Sequence, residues 1–348
     1  MFLYRLKRLL LERDILITVI IFGLLVMIAD IFADFDYRSL AAATRVLGIL
    51  ILLGISFLDY WLRRRRTNFP VPLMFEEKFS LRENRESFAR FLDAADLRRP
   101  MKVIEVSSPI RSDDLILAVR GANPRYTADR NIWRNAWREL LNDWLERVDR
   151  PLTSTMFSSE LRRYHVYPHV VLPLSFALGA AVNLRRSIVL FHMQDEMFRR
   201  VIDLSQPRKL HATPDPLTPP VKKIPADFST LQRSDKLILH LAITDRHGIC
   251  FEDHAAYQSA DNAALSYDFA LDPETDWLPY VQRIIQEARP LVERYKSVEI
   301  CFLCPSAIAF ALGMGFSRNS RITVCHRLDG SYVPVFSLSE IEENLMFG

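Results

Sequence analysis

Cysteine is scarce in this sequence of 348 residues: Cys250, Cys301, Cys304 and Cys325 are all it has. They fall in its last hundred residues, and none recurs with the paired spacing of a zinc site, which fits a reducing compartment. Excess charge is missing too. A net charge of +3 is too small a field to argue for binding long nucleic acid. Catalytic signatures are absent: no glycine-rich dinucleotide fingerprint after a strand, no Walker loop, no HExxH and no nucleophile elbow. The chain is therefore read as non-enzymatic, with no cofactor and no metal. His165 and His169 flank a proline turn without a carboxylate pattern, and Cys301-x-x-Cys304 ends an apolar strand, which points to buried structure rather than redox chemistry.

What is present begins with two apolar segments. Ile15 to Ala29 runs without a charge, and the segment extends to Ala33 with Asp30 inside. Leu40 to Leu58 is similar and carries Arg45. Each is long enough to cross a bilayer, which takes about 20 residues. The short loop between them makes them an antiparallel hairpin, with helices expected at 15–33 and 40–61 inside a hairpin region 1–66. Arg5, Lys7, Arg8 and Arg13 precede it and Arg63 to Arg66 follow it, so the positive-inside rule puts both ends in the cytosol. The expectation is a multi-pass protein of the bacterial inner membrane, its N-terminus and its large domain cytoplasmic. Asp30 and Arg45 lie at comparable depth, as an interfacial pair or as polar residues lining a water path when hairpins cluster.

After a connector (67–98), expected to be helical, short apolar strands alternate with helices. Lys102–Val106, Leu115–Val119, Tyr164–Tyr167 and Ser187–His192 read as strands; Ile132–Val148 and Leu172–Asn183 read as helices. Six prolines between Pro207 and Pro225 mark a linker (207–230). The order then returns, with strands at Leu237–Ile243, Val298–Leu303 and Ile322–His326 and helices at Trp277–Tyr295 and Ser306–Met314. Ser175–Leu204 written over Ala309–Leu338 gives nine identities without a gap, including FALG over FALG and His192 over His326. The fold class is α/β, in two pseudo-symmetric Rossmann-like halves (99–206 and 231–348). Two such halves side by side make one composite cleft at the carboxyl ends of their strands.

The segments YHVYPHVVLPLSFALGAAV…SIVLFH and VEICFLCPSAIAFALGMGF…RITVCH…YVPVFSL resemble the SAVED domain of bacterial CBASS anti-phage systems, two fused CARF-like units. The resemblance covers roughly residues 100 to 340. It implies a receptor for a cyclic oligonucleotide, commonly a cyclic trinucleotide, made by a partner nucleotidyltransferase on infection. It further implies assembly into a homo-oligomer on binding. The effector would be the hairpin, acting on the lipid bilayer to disrupt the inner membrane and cause abortive infection.

Such a ligand needs cations and N–H donors for phosphates and flat faces for bases. Loop residues after predicted strands supply candidates: Arg120, Asn123, Arg125, Tyr167, Pro168 and His169 in the first half. In the second they are Thr244, Asp245, Arg246, Cys304, Pro305 and Ser306, with Tyr267 and Phe269 as stacking surfaces. Two other readings stay open: a membrane-tethered Rossmann-like nucleotide hydrolase, and a scaffold that binds no small ligand.

Overall fold

The computed structural model describes residues 68–75, 117–119, 124–145, 163–182, 187–194, 197–231, 234–244, 248–316 and 319–340, with isolated positions between 42 and 50. The continuous stretches belong to one compact unit, Asn68–Thr155 with Arg163–Gly348. The isolated positions belong to another, Met1–Thr67 with Met156–Arg162.

The expectation of a multi-pass membrane protein is not upheld: among the described residues no helix is long and apolar enough to cross a membrane. Asp30, Arg45 and, apart from single positions, both expected spans lie outside the described residues.

The large unit holds two sheets. The first has the order β2-β1-β3-β4-β5, from β1 (Asn68–Phe75), β2 (Leu117–Val119), β3 (Arg163–His169), β4 (Ile188–Gln194) and β5 (Met197–Leu204). Its pairings are parallel except the β4–β5 hairpin. Its helices are α1 (Arg130–Asp143) and α2 (Leu172–Val182). The second has the order β11-β10-β9-β7-β8-β6, from β6 (Lys222–Ile224), β7 (Lys236–Ile243), β8 (Asp261–Tyr267), β9 (Ser297–Leu303), β10 (Ile322–Leu328) and β11 (Ser331–Ser337). Its helices are α3 (Leu278–Arg294) and α4 (Ser306–Phe316).

Two segments differ from expectation. Asn68–Phe75, expected in a helical connector, is β1, despite Pro70 and Pro72. A proline has no N–H for the ladder, and is tolerated where a strand side lacks a partner. Among the described residues β2 pairs with Leu73 to Phe75, and neither Pro70 nor Pro72 has a partner on that side. Within the expected linker, Lys222–Ile224 becomes the edge strand β6, antiparallel to β8.

The internal repeat is exact in its spacing. β3 and β9, α2 and α4, and β4 and β10 each begin and end 134 residues apart. Even the hairpin irregularity repeats, between Leu190 and Phe191 in one half and Val324 and Cys325 in the other. The helices sort by pattern. α1 and α3 bury one face; α2 (LPLSFALGAAV) and α4 (SAIAFALGMGF) carry no charge and are apolar almost all round. A helix without a polar face must be covered on all sides. α2 and α4 accordingly form the centre of the core, with Phe176, Leu178, Phe310 and Leu312 fully buried.

Candidate functional site

The two FALG segments pack against each other. A Cβ on Gly179 would overlap the carbonyl of Phe310, and a Cβ on Gly313 would overlap the carbonyl of Phe176. Glycine is required at both because one helix backbone occupies the space a side chain would fill. Ser175 Oγ donates to the carbonyl of Ser306 at 2.8 Å. Contacts pairing 175 with 306 and 179 with 310 fit only helices running in the same direction.

Parallel packing puts both helix N-termini at one end. Each follows a central strand, α2 after β3 and α4 after β9. Ser306 Oγ donates to the carbonyl of Val170 at 3.2 Å, so the turn after β3 and the start of α4 touch. Each N-terminus carries unsatisfied N–H groups and about half a positive charge. Two side by side make a composite end suited to an anion with local two-fold repetition.

The halves are also clamped at their flanks, and the clamps repeat. Trp133, near the start of α1, lies 4.9 Å from the His326 ring on β10 at 56°. Trp277, just before α3, lies 5.0 Å from the His192 ring on β4 at 49°. Each indole N–H donates to a carbonyl in the loop before its own helix, Thr127 at 2.9 Å and Asp272 at 2.8 Å. His326 Nε2 donates to the carbonyl of Arg125 at 3.0 Å; burial, then the Arg125 charge, lower its basicity against that backbone bond. Trp277 N donates to the carbonyl of Val201 at 2.7 Å.

Against this frame the expected site residues divide. Tyr167 and Pro168 near the end of β3, and Cys304, Pro305 and Ser306 before and at the start of α4, come to the common end. Tyr167 is not a base-stacking face, because it is fully buried and stacked on Phe191 at 4.6 Å. His169 is in β3. Cys304 is a poor nucleophile, its thiol pushed up to about 12 by burial. Tyr267, the last residue of β8, is buried, its hydroxyl donating to the carbonyl of Pro219 at 2.9 Å and its pKa raised to about 12 by burial. Phe269 and Tyr280 pack on it edge-on, and Phe269 stays 38% exposed. Thr244 N donates to the carbonyl of Tyr267 at 3.1 Å. Arg125 lies at a flank clamp, its guanidinium 5.8 Å from the centre of the exposed Tyr126 ring. Arg120, Asn123, Asp245 and Arg246 lie outside the described residues.

Sequence reasoning missed Val170 and Ser175, which join the two turns. Ser175 stands directly before FALG, and that position was the available signal.

No protein-family model matches the chain, and no curated relative does. Among solved structures, an Acinetobacter baumannii Cap4 SAVED/CARF-domain containing receptor with the cyclic trinucleotide 3'3'3'-cAAA aligns at 14% identity and a TM-score of 0.45, over 86% of this chain and 62% of that one. The Moraxella osloensis Cap4 SAVED/CARF-domain containing receptor aligns at 13% identity and a TM-score of 0.45, over 86% and 60%. The chain thus spans about three fifths of the length of these structures.

Proposed function

We propose that the paired α/β unit is a non-enzymatic receptor for a cyclic oligonucleotide, a cyclic trinucleotide in particular, held where the N-termini of α2 and α4 meet. The observation that carries this is the parallel packing of two helices whose first turns touch through Ser175 and Ser306. Two adjoining sets of amide N–H groups match a ligand whose phosphates are repeated around a ring. The resemblance to SAVED domains, and the cyclic trinucleotide bound by the Acinetobacter receptor, agree with this ligand class. The ligand comes from a partner nucleotidyltransferase, and binding favours assembly of several copies, because a ligand held between subunits stabilises the assembled state.

The test is thermal unfolding of the full chain against cyclic di-, tri- and tetranucleotides, with recovery of the ligand afterwards. Binding to the folded state alone adds about 2.7 kcal/mol at a hundredfold excess over Kd. A shift with one cyclic trinucleotide, recovered intact, is the expected result. A cleaved ligand favours the hydrolase reading, and a flat panel favours the scaffold. Ser306→Asp is a second arm: its carboxylate repels phosphate but also loses the bond to the Val170 carbonyl, so the ligand shift should vanish, and it is compared with the parent only after the unfolding temperatures without ligand have been measured for both.

A further inference from the structure

The outer face of the second sheet carries chemistry that the ligand reading does not use. Cys301 on β9 and Cys325 on β10 follow the paired residues Ile300 and Val324, so they are neighbours pointing to one face. Neighbouring strands lie about 4.8 Å apart, within the span that a disulfide bridges. With His254 they form a buried group whose ligand atoms all lie within 4.8 Å of one another. The sheet therefore pairs Cys301 with Cys325. Cys304, its sequence neighbour, packs on the other, helix-covered core.

Such a cluster invites a metal, with Glu299 as a fourth donor. The hydrogen bonding of His254 argues otherwise. The amide of Ala256 donates to His254 Nδ1 at 3.1 Å. Nδ1 is thus an acceptor, and the proton sits on Nε2, the atom a metal would need. Nε2 lies 3.7 Å from Sγ of Cys325 in hydrogen-bonding geometry. It is also 2.9 Å from Oε2 of Glu299, an oxygen for which no aligned hydrogen-bond donor is found among the described residues. Burial lowers the basicity of His254 while Cys325 and Glu299 raise it to a net value above the usual one. The Ala256 amide leaves no acceptor for a second proton, so we take the ring as neutral with an Nε2–H donor.

We propose that Cys301 and Cys325 are a redox-active thiol pair that a small peroxide oxidises to an intramolecular disulfide, with the Nε2–H of His254 supporting Cys325 as the attacking thiolate. Hydrogen bonds from Cys301 and His254 hold the Cys325 thiol below the usual range, whereas burial pushes Cys301 up. Sulfur of Cys325 attacks a peroxide oxygen, the O–O bond breaks, and the hydroxide released leaves as water with the thiol proton. Cys301 then attacks the sulfenic sulfur and expels a second water. Two thiols and one peroxide become one disulfide and two waters.

Access is governed by the segment that covers the pair. His254, Ala256 and Ala260 pack over it, and an ion pair between Arg327 and Asp253 at 2.8 Å fastens the cover to β10. Cys250, at the exposed start of the cover, is a built-in reference thiol.

The full chain, as purified, is assayed for metal, exposed to hydrogen peroxide, alkylated, digested and mapped by mass spectrometry. The expected result is a peptide pair linked through Cys301 and Cys325, released by dithiothreitol and absent in Cys301→Ser. Asp253→Asn loosens the cover, and the link should form about threefold faster, the size of effect expected for a partly exposed ion pair. That arm decides the matter even where Cys301→Ser fails to fold. Cys301 and Cys325 remaining separately alkylated at doses that oxidise Cys250 would overturn the proposal. One zinc per chain in the purified protein would overturn it too.

Discussion

Replacing Gly179 or Gly313 with alanine sets two effects of opposite sign against each other. Alanine is the better helix former by about 1 kcal/mol. The Cβ, however, would meet a backbone carbonyl that cannot rotate away. Overpacking of this kind costs about 1–3 kcal/mol or more. Net destabilisation is expected in both variants, seen as a lower urea midpoint with an unchanged slope; a gain in stability would mean that α2 and α4 do not approach as described. His240 offers a second residue-scale test. It is buried between Phe251 and Tyr332, with Asp253 and His254 as its titratable neighbours, and its pKa is lowered to about 4, chiefly by burial. An unfolded histidine takes up its proton near pH 6.5, well before the folded one. Stability should therefore be full above about pH 6.5 and fall as the pH drops toward 4, by about 3 kcal/mol from this group. His211 and His326 are lowered too and add loss of the same sign. His240→Phe, followed by denaturant unfolding across that range, should flatten the slope in part.

Among elements, the most apolar were the easiest to read. FALG twice, at a fixed spacing, announced a duplication, and α2, α4, β3, β9, β4 and β10 lie where the strand and helix periods put them. Strands that break local rules were not legible. β1 carries two prolines, which strand interiors rarely hold, and β6 sits in a segment whose prolines suggest a linker. Site residues were harder, because strand alternation decides which of two neighbours faces the cleft. Tyr167 and Tyr267 have the chemistry of stacking residues, but both are buried. The tryptophan–histidine clamps were half visible. His192 and His326 matched in the repeat, but their partners lie in or just before helices of the opposite half, at unequal sequence distances. Trp277→Ala should cost about 3–5 kcal/mol, as large aromatic truncations in cores do. Because its amide and ring both reach the first half, calorimetry should also show weaker coupling between the halves.

At the scale of the molecule, the described unit is one body built on an approximate two-fold axis between α2 and α4. The candidate anion site lies at one end of that axis and the clamps lie on its flanks. A ligand on the axis touches both halves, so it should stabilise the Gly179 and Gly313 variants by less than the parent if they disturb the helix pair. Titrating each variant with the cyclic trinucleotide that shifts the parent, and comparing the unfolding temperatures, checks this.

The Gly179–Gly313 notch is also self-complementary: each face that closes it carries the same four letters. Whatever fits one half fits its counterpart in a second chain equally well, so the surface that closes a single molecule is also a template for exchange. Two chains refolding close together could each lend a half to the other and bury the same contacts, with only the tether between halves favouring the closed monomer. The loop-closing segment from Ser205 to Asp235 is then what keeps this protein's symmetry inside one polypeptide.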